Sequence, residues 1–372
     1  MPQQSIGPYK IIGKLGEGGM GEVFEAMHET IERRVAIKLL HPDRARDREV
    51  AARFLNEARA VNRIEHPSIV QVSDFGRAED GTAYLVMELL RGETLSRRLS
   101  RLHAQGETLP LVTTLQIAWQ VADALTAAHE RQIVHRDLKP DNLMLVADPI
   151  APGGERVKLL DFGIAKLQPD NPQEVSELRT DTQLVMGAPA YMSPEQCAGA
   201  GGVDAKADVY SLGVVMYRML SGQVPFVADG AGQIIAMHLY KDPPPLAKLA
   251  PQVPLDTAAL VHRLLIKDRQ QRPSMAEARS ELSGLLSKTS NSGHSLSGRL
   301  SGSLPPHAFE PARSSLPSLH PSLQPSLQPS QPSSESLPRP SSATFDKAQG
   351  QQEGRGPRRS LRIIAVAGVA SF

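Results

Sequence analysis

His135-Arg136-Asp137-Leu138-Lys139-Pro140-Asp141-Asn142 is the stretch on which the reading of this chain turns. It follows the apolar pair Ile133-Val134, and further on Leu159-Leu160-Asp161-Phe162-Gly163 closes another short strand-like run. Two short segments thus carry three acids, a lysine and an amide, and five positions from Asp137 to Asn142 let one loop present both.

Upstream, Gly16-Glu17-Gly18-Gly19-Met20-Gly21-Glu22-Val23 sets glycines at the first, third and sixth places of a run between the strand-like Tyr9–Leu15 and Glu22–Ala26. Without side chains, backbone can close over a polyphosphate and offer amide donors. A strand rather than a helix follows, which removes the dinucleotide-binding reading, and no Gly-Lys-Ser/Thr completes a P-loop. A plain glycine hairpin accounts for the run equally well. In Val35-Ala36-Ile37-Lys38, strand period two puts Ala36 and Lys38 on one face. Residues Arg48 to Ile64 read as a helix with Phe54, Ala58 and Val61 on one stripe, and Glu57 falls on that apolar face. An inward carboxylate is costly unless paired, and Lys38 is the obvious cation; a solvated flanking glutamate is the bland alternative. Val70–Val72 and Tyr84–Met87 return to strands. Beyond Leu95 the pattern turns helical, with Ile117, Val121, Leu125 and Ala128 on one stripe, and Asp208–Leu220 is apolar nearly all round before Gly222. A small strand-rich lobe precedes a larger helical one.

The chain has 372 residues, with 41 Lys plus Arg against 40 Asp plus Glu. A net charge of +1 leaves no broad positive field, which disfavours a nucleic-acid partner. The single cysteine, Cys197, excludes a disulfide framework and any multi-cysteine metal site. No basic start and apolar run of a secretory signal opens the sequence, so cytoplasmic folding is expected. From Ser287 to Asp346, Ser and Pro make up 28 of 60 residues, too little apolar surface to offset chain entropy. The last segment is basic, Arg355 to Arg362, then apolar from Ile363 to Phe372. Ten residues cannot span a bilayer, yet the pattern matches the cytoplasmic flank of a transmembrane helix, and it is expected to open one or to act as a weak anchor.

Taken in order, these segments resemble the protein kinase family over about residues 9–286, some three quarters of the chain. Lys139-Pro140 is similar to the serine/threonine branch. Met192-Ser193-Pro194-Glu195-Gln196 and Asp208-Val209-Tyr210-Ser211-Leu212-Gly213 resemble bacterial, eukaryotic-like receptor kinases. The resemblance implies an α+β bilobal kinase fold. A β-rich small lobe with one main helix would span about 9–90, and a helical large lobe about 91–286. Residues 1–8 would be an extension, 287–357 a disordered linker and 358–372 the tail.

The implied activity is transfer of the γ-phosphate of ATP to Ser/Thr hydroxyls of proteins, with Mg2+ as metal and Mn2+ as the alternative. In that frame Lys38 holds the α- and β-phosphates, Glu57 fixes Lys38, and Asn142 and Asp161 bind the metal. Asp137 takes the substrate proton and Lys139 steadies the γ-phosphate. Leu15, Gly16, Gly18 and Gly21 cover the nucleotide. Val23 and Ala36 lie above the adenine and Met144 below, with backbone of Glu88 and Leu90 bonding it and Met87 limiting pocket depth. His135 is architectural, stacked under Phe162, Val61 and Val72 and anchored by Asp208, and Glu195 pairs with Arg272. Arg136 would dock a phosphorylated activation segment, with Thr180 and Thr182 as autophosphorylation sites, a second copy as partner, and tethering to the inner face of the cell membrane. Ala188 departs from the family's threonine, which keeps a nucleotide-binding pseudokinase scaffold as the rival reading; a small-molecule phosphotransferase is disfavoured by the peptide-binding ledge at Ser193-Pro194-Glu195.

Overall fold

Strand period two and a hairpin build the first part of the molecule. The structure is a computed structural model that describes residues 5–18, 21–41, 48–162, 189–199 and 202–297. Strands β1 (Ser5–Ile6), β2 (Tyr9–Gly18), β3 (Gly21–His28), β4 (Arg34–Leu40), β5 (Val72–Arg77) and β6 (Ala83–Glu88) form an antiparallel sheet ordered β1-β2-β3-β4-β6-β5. The alternation in β4 divides its residues between two clusters. Val35 and Ile37 pack with Tyr9, Ala26, Tyr84 and Val86 on one face, while Leu40 joins Leu85 in the main core. The extension before Tyr9 takes part, since Ile6 is buried in the first cluster.

Helix α1 (Arg48–Val61) buries Phe54, Ala58 and Val61, as the stripe predicts, and stops three residues before Ile64. The expected strand at Val70 begins instead at Val72. Ser68 O accepts from Leu159 N at 2.8 Å and Val70 N donates to Leu159 O at 3.1 Å, so this segment pairs with the large lobe before it enters the first sheet. That pairing carries one core across both lobes, with Val61, Ile69 and Val72 in a single cluster with Leu125, Leu138 and Phe162.

In the large lobe, β7 (Gly92–Thr94), α2 (Leu95–Ala104), α3 (Leu111–Glu130), β8 (Leu143–Ala147) and β9 (Glu155–Leu159) follow, the strands forming a sheet ordered β7-β8-β9. The predicted stripe of α3 is buried throughout. Then come α4 (Pro194–Cys197), α5 (Ala205–Ser221), α6 (Ala231–Tyr240), α7 (Leu246–Leu249), α8 (Leu255–Leu264) and α9 (Met275–Ser297). Helix α5 is capped by Asp204, whose side chain accepts from Lys206 N, and ends at Gly222, whose φ of 80° is the left-handed stop that glycine favours. The fold is thus α+β, a small β-rich lobe with one main helix followed by a larger helical lobe. Helix α9 packs on α3 and runs through Ser297, past the Leu286 limit expected for the folded part. Residues 298–372, with most of the Ser/Pro-rich stretch and the whole tail, lie outside the described residues. Among the described residues no helix is long and apolar enough to cross a membrane.

Candidate active site

The loop between α3 and β8 is held by a buried carboxylate. Asp208, on α5 and 1 % exposed, accepts from His135 N and Arg136 N, each at 2.8 Å, and lies 2.7 Å from His129 Nε2. Burial drives its carboxyl up, but the His129 hydrogen bond and the neighbouring donors outweigh that and hold it below the usual range. His135 is architectural in geometry. Its Nδ1 accepts from Asp137 N at 3.3 Å, which assigns the ring proton to Nε2, 3.0 Å from Leu160 O. The ring lies 4.6 Å from that of Phe162, and burial pushes its pKa down, so it stays neutral.

This frame presents Asp137, Lys139 and Asn142 together. Asp137 Oδ2 accepts from Lys139 Nζ at 3.0 Å and from Asn142 Nδ2 at 3.1 Å, and Asn142 Nδ2 also donates to Asp137 O at 2.8 Å. Leu160 N donates to Asn142 O at 2.9 Å, tying the strand that leads to Asp161 onto the same loop.

From the small lobe, Lys38 reaches across: its Nζ lies 2.7 Å from Asp161 Oδ1, the lysine side chain 9 % exposed and the aspartate 46 %. Asp161 sits at a φ of 45°, in the left-handed region that non-glycine residues seldom adopt. The Glu57 backbone belongs to α1, but its side chain lies outside the described residues, so the expected Lys38–Glu57 pair does too. A hard divalent cation fits what is present. Asn142 turns its amide nitrogen onto Asp137, which leaves its Oδ1 as a hard oxygen ligand, and the bond from Leu160 N to Asn142 O ties this residue to the strand end that carries Asp161, a second oxygen ligand.

Gly16, Val23, Ala36, Lys38 and Met87, five of the expected nucleotide residues, share a sheet face. In register, Val23 opposes Lys38, Ala36 opposes Met87, and Gly16 opposes Val23. Val23, Met87, Leu90 and Met144 are half-buried, and Leu15 is exposed. The glycines separate into two kinds. A Cβ on Gly21 would stand 1.8 Å from Leu39 O, whereas among the described residues one on Gly16 would meet nothing within 4 Å and one on Gly18 only Gly21 O at 4.0 Å. Gly21 is therefore demanded by the strand beside it, and no described residue crowds Gly16 or Gly18. Glu88 N donates to Gln71 O at 3.0 Å, while its side chain meets Lys158 Nζ at 2.6 Å.

Arg136 is half-buried beside Asp137. Thr180, Thr182 and Ala188 lie outside the described residues. The Glu195–Arg272 pair is present and bidentate, at 2.8 and 2.9 Å. Three contacts escaped sequence reasoning: His129 on Asp208, Lys158 on Glu88, and Gln196 Nε2, which donates to Arg136 O at 2.7 Å. Only Lys158 left a local trace, in its alternation with buried Val157 and Leu159.

The protein kinase domain family matches residues 9–282. Serine/threonine-protein kinase pkn2 of Myxococcus xanthus is 36% identical over 364 residues, covering 97% of this chain and 39% of that protein. Serine/threonine-protein kinase PknA of Mycobacterium tuberculosis is 40% identical over 270 residues, 72% of this chain and 58% of the relative. This chain therefore spans less than two thirds of the length of either relative. The crystal structure of the Mycobacterium tuberculosis PknI kinase domain is similar at a TM-score of 0.57 and 27% identity, covering 75% of this chain and 97% of that structure.

Proposed function

Because the chain belongs to the protein kinase family, in its bacterial serine/threonine branch, we propose that it transfers the γ-phosphate of ATP to serine and threonine hydroxyls of proteins. The reading rests on one observation above the others. Lys38 of the small lobe and Asp161 of the large lobe meet at 2.7 Å beside a loop on which Asp137, Lys139 and Asn142 are mutually bonded.

Such chemistry needs positioning and charge neutralisation more than covalent help. Protein kinases use ATP and a divalent cation; here we take the cation to be Mg2+, which Asp161 and Asn142 would hold and which would supply charge neutralisation for the phosphates. Lys38 holds the α- and β-phosphates. Asp137, oriented through Oδ2, accepts the proton of the incoming hydroxyl, and Lys139 balances charge developing on the γ-phosphate. Val23, Ala36 and Met144 enclose the adenine, with backbone of Glu88 and Leu90 bonding its edge. Glu57 orients Lys38 from α1.

Autophosphorylation of Thr180 and Thr182 between two copies, answered by Arg136, is part of the reading, supported by the Arg136-Asp137 sequence. A cytoplasmic kinase domain tethered to the inner membrane face is supported by the basic-then-apolar tail. The test is incubation with labelled ATP, Mg2+ and a generic basic protein, comparing wild type with Asp137→Asn. Incorporation should fall to background in the variant. Nucleotide binding without any transfer by wild type would leave the scaffold reading, and equal incorporation by both would sink the assignment.

A further inference from the structure

Gln196 lies directly after Glu195, and its side chain is used at both ends. Its Oε1 accepts from Ser193 N at 3.0 Å and from Ser193 Oγ at 3.2 Å, closing the capping box of α4. Its Nε2 donates to Arg136 O at 2.7 Å. The two contacts fix the amide orientation, because a flip would set oxygen against the Arg136 carbonyl and nitrogen against the Ser193 N–H.

The carbonyl it holds belongs to the peptide immediately before Asp137. That peptide is pinned at both ends: the oxygen by Gln196, and the Asp137 N–H by His135 Nδ1 at 3.3 Å. Arg136 itself sits at a φ of 63°, and its own N–H is held by Asp208 at 2.8 Å. A non-glycine residue stays in the left-handed region only when its surroundings over-determine it. Asp208 supplies that constraint from the lobe interior, and Gln196 supplies it from the segment at Ser193–Cys197. The plane of this peptide sets the direction in which the Asp137 side chain leaves the backbone.

We propose that Gln196 is a positioning residue for phosphoryl transfer, fixing the Arg136–Asp137 peptide and so coupling the placement of the Ser193–Cys197 segment to the aim of the Asp137 carboxylate. This rests on the kinase reading above and deepens it. Glu195 anchors the same segment to the lobe through Arg272, so neighbouring residues carry two tasks: one holds the ledge and the other reports its position to the site.

The side chain's two roles can be separated. Gln196→Glu keeps an acceptor for Ser193, as glutamate does in a capping box, but cannot donate to Arg136 O. Gln196→Ala loses both. The full chain and both variants are compared by thermal unfolding and by steady-state kinetics with ATP and a generic basic protein. If the donation positions Asp137, both variants lose about tenfold in kcat with KM for ATP within about twofold, although their unfolding temperatures fall by different amounts, since the alanine variant loses the cap and the glutamate variant keeps it. A glutamate variant with wild-type kcat overturns the inference, and so does a kcat loss that simply follows the fall in unfolding temperature. Absence of transfer by wild type is a separate result that removes the kinase reading itself.

Discussion

Lys38 and Asp161, 123 positions apart in sequence, meet in a 2.7 Å ion pair across the two lobes. The lysine is nearly buried and the aspartate half exposed, so removing the cation leaves Asp161 as a carboxylate that water can solvate, while Glu57, which the proposed function sets on Lys38, loses its cation too. Lys38→Met is therefore expected to lower the unfolding temperature by several degrees while phosphoryl transfer drops at least about 100-fold, far more than that destabilisation accounts for. Calorimetry and labelled-ATP assays on the same preparation check both halves.

The glycine turn gives a second separation of structure from function. Gly21→Ala places a methyl 1.8 Å from Leu39 O, forcing β3 and β4 apart, and is expected to cost about 1–3 kcal/mol. Among the described residues Gly18→Ala meets only Gly21 O at 4.0 Å. It should change stability by less than about 1 kcal/mol and raise KM for ATP instead. Urea unfolding beside an ATP titration distinguishes them, and equal destabilisation would remove the division between strand-facing and ligand-facing glycines.

Patterns written within one element were legible before the fold was known. The all-round apolar run at Asp208–Leu220, the Phe54–Ala58–Val61 stripe and the two-faced strand around Lys38 each follow from a short period that the residues display locally. Contacts that depend on a partner far along the chain were not. The β5 strand starts late because Ser68 and Val70 pair with Leu159, and nothing near Val70 announces that. Gln196 closes a capping box within α4 in the structure, and its reach to Arg136 O depends on how α4 is docked. The family likeness implies the Glu195–Arg272 pair; the geometry adds how completely the cation is enclosed.

That enclosure carries a prediction. Arg272, 2 % exposed, spends five donors: Nε on Ile266 O at 2.6 Å, one terminal nitrogen on Glu195 Oε1 and Lys206 O, the other on Glu195 Oε2 and Lys267 O. Lysine cannot reproduce that fork. Arg272→Lys and Glu195→Gln are each expected to lose roughly 3–5 kcal/mol, because each strands a buried charge or its acceptors. A midpoint in urea unchanged by either substitution would show that the pair contributes nothing.

Cys197 is buried, and burial pushes its thiol up to about 12. At pH 8 the reactive thiolate is then a trace species. Iodoacetamide should leave the native chain unlabelled and add one equivalent in urea, read by intact mass; rapid labelling of folded protein would contradict the burial.

Acid should weaken the fold in a defined window. Burial lowers the pKa of His135, His262 and His238, the last to about 4, from an ordinary value of 6.5. Above 6.5 these rings are neutral both folded and unfolded, so they set no slope. Below it the unfolded chain takes up protons that the folded chain refuses, and stability falls with pH. For His238 alone the loss is on the order of 3 kcal/mol by pH 4. Glu195 and Asp208 extend the trend: burial raises both, but Arg272 on the first and His129 on the second leave each net lowered, so their stabilisation also disappears in acid. Urea midpoints should be level from pH 8 to 7 and decline below 6.5, and in His238→Phe the slope between pH 6.5 and 4.5 should be shallower by about one proton. An unchanged slope in that variant would mean the ring is already accessible to protons in the folded chain.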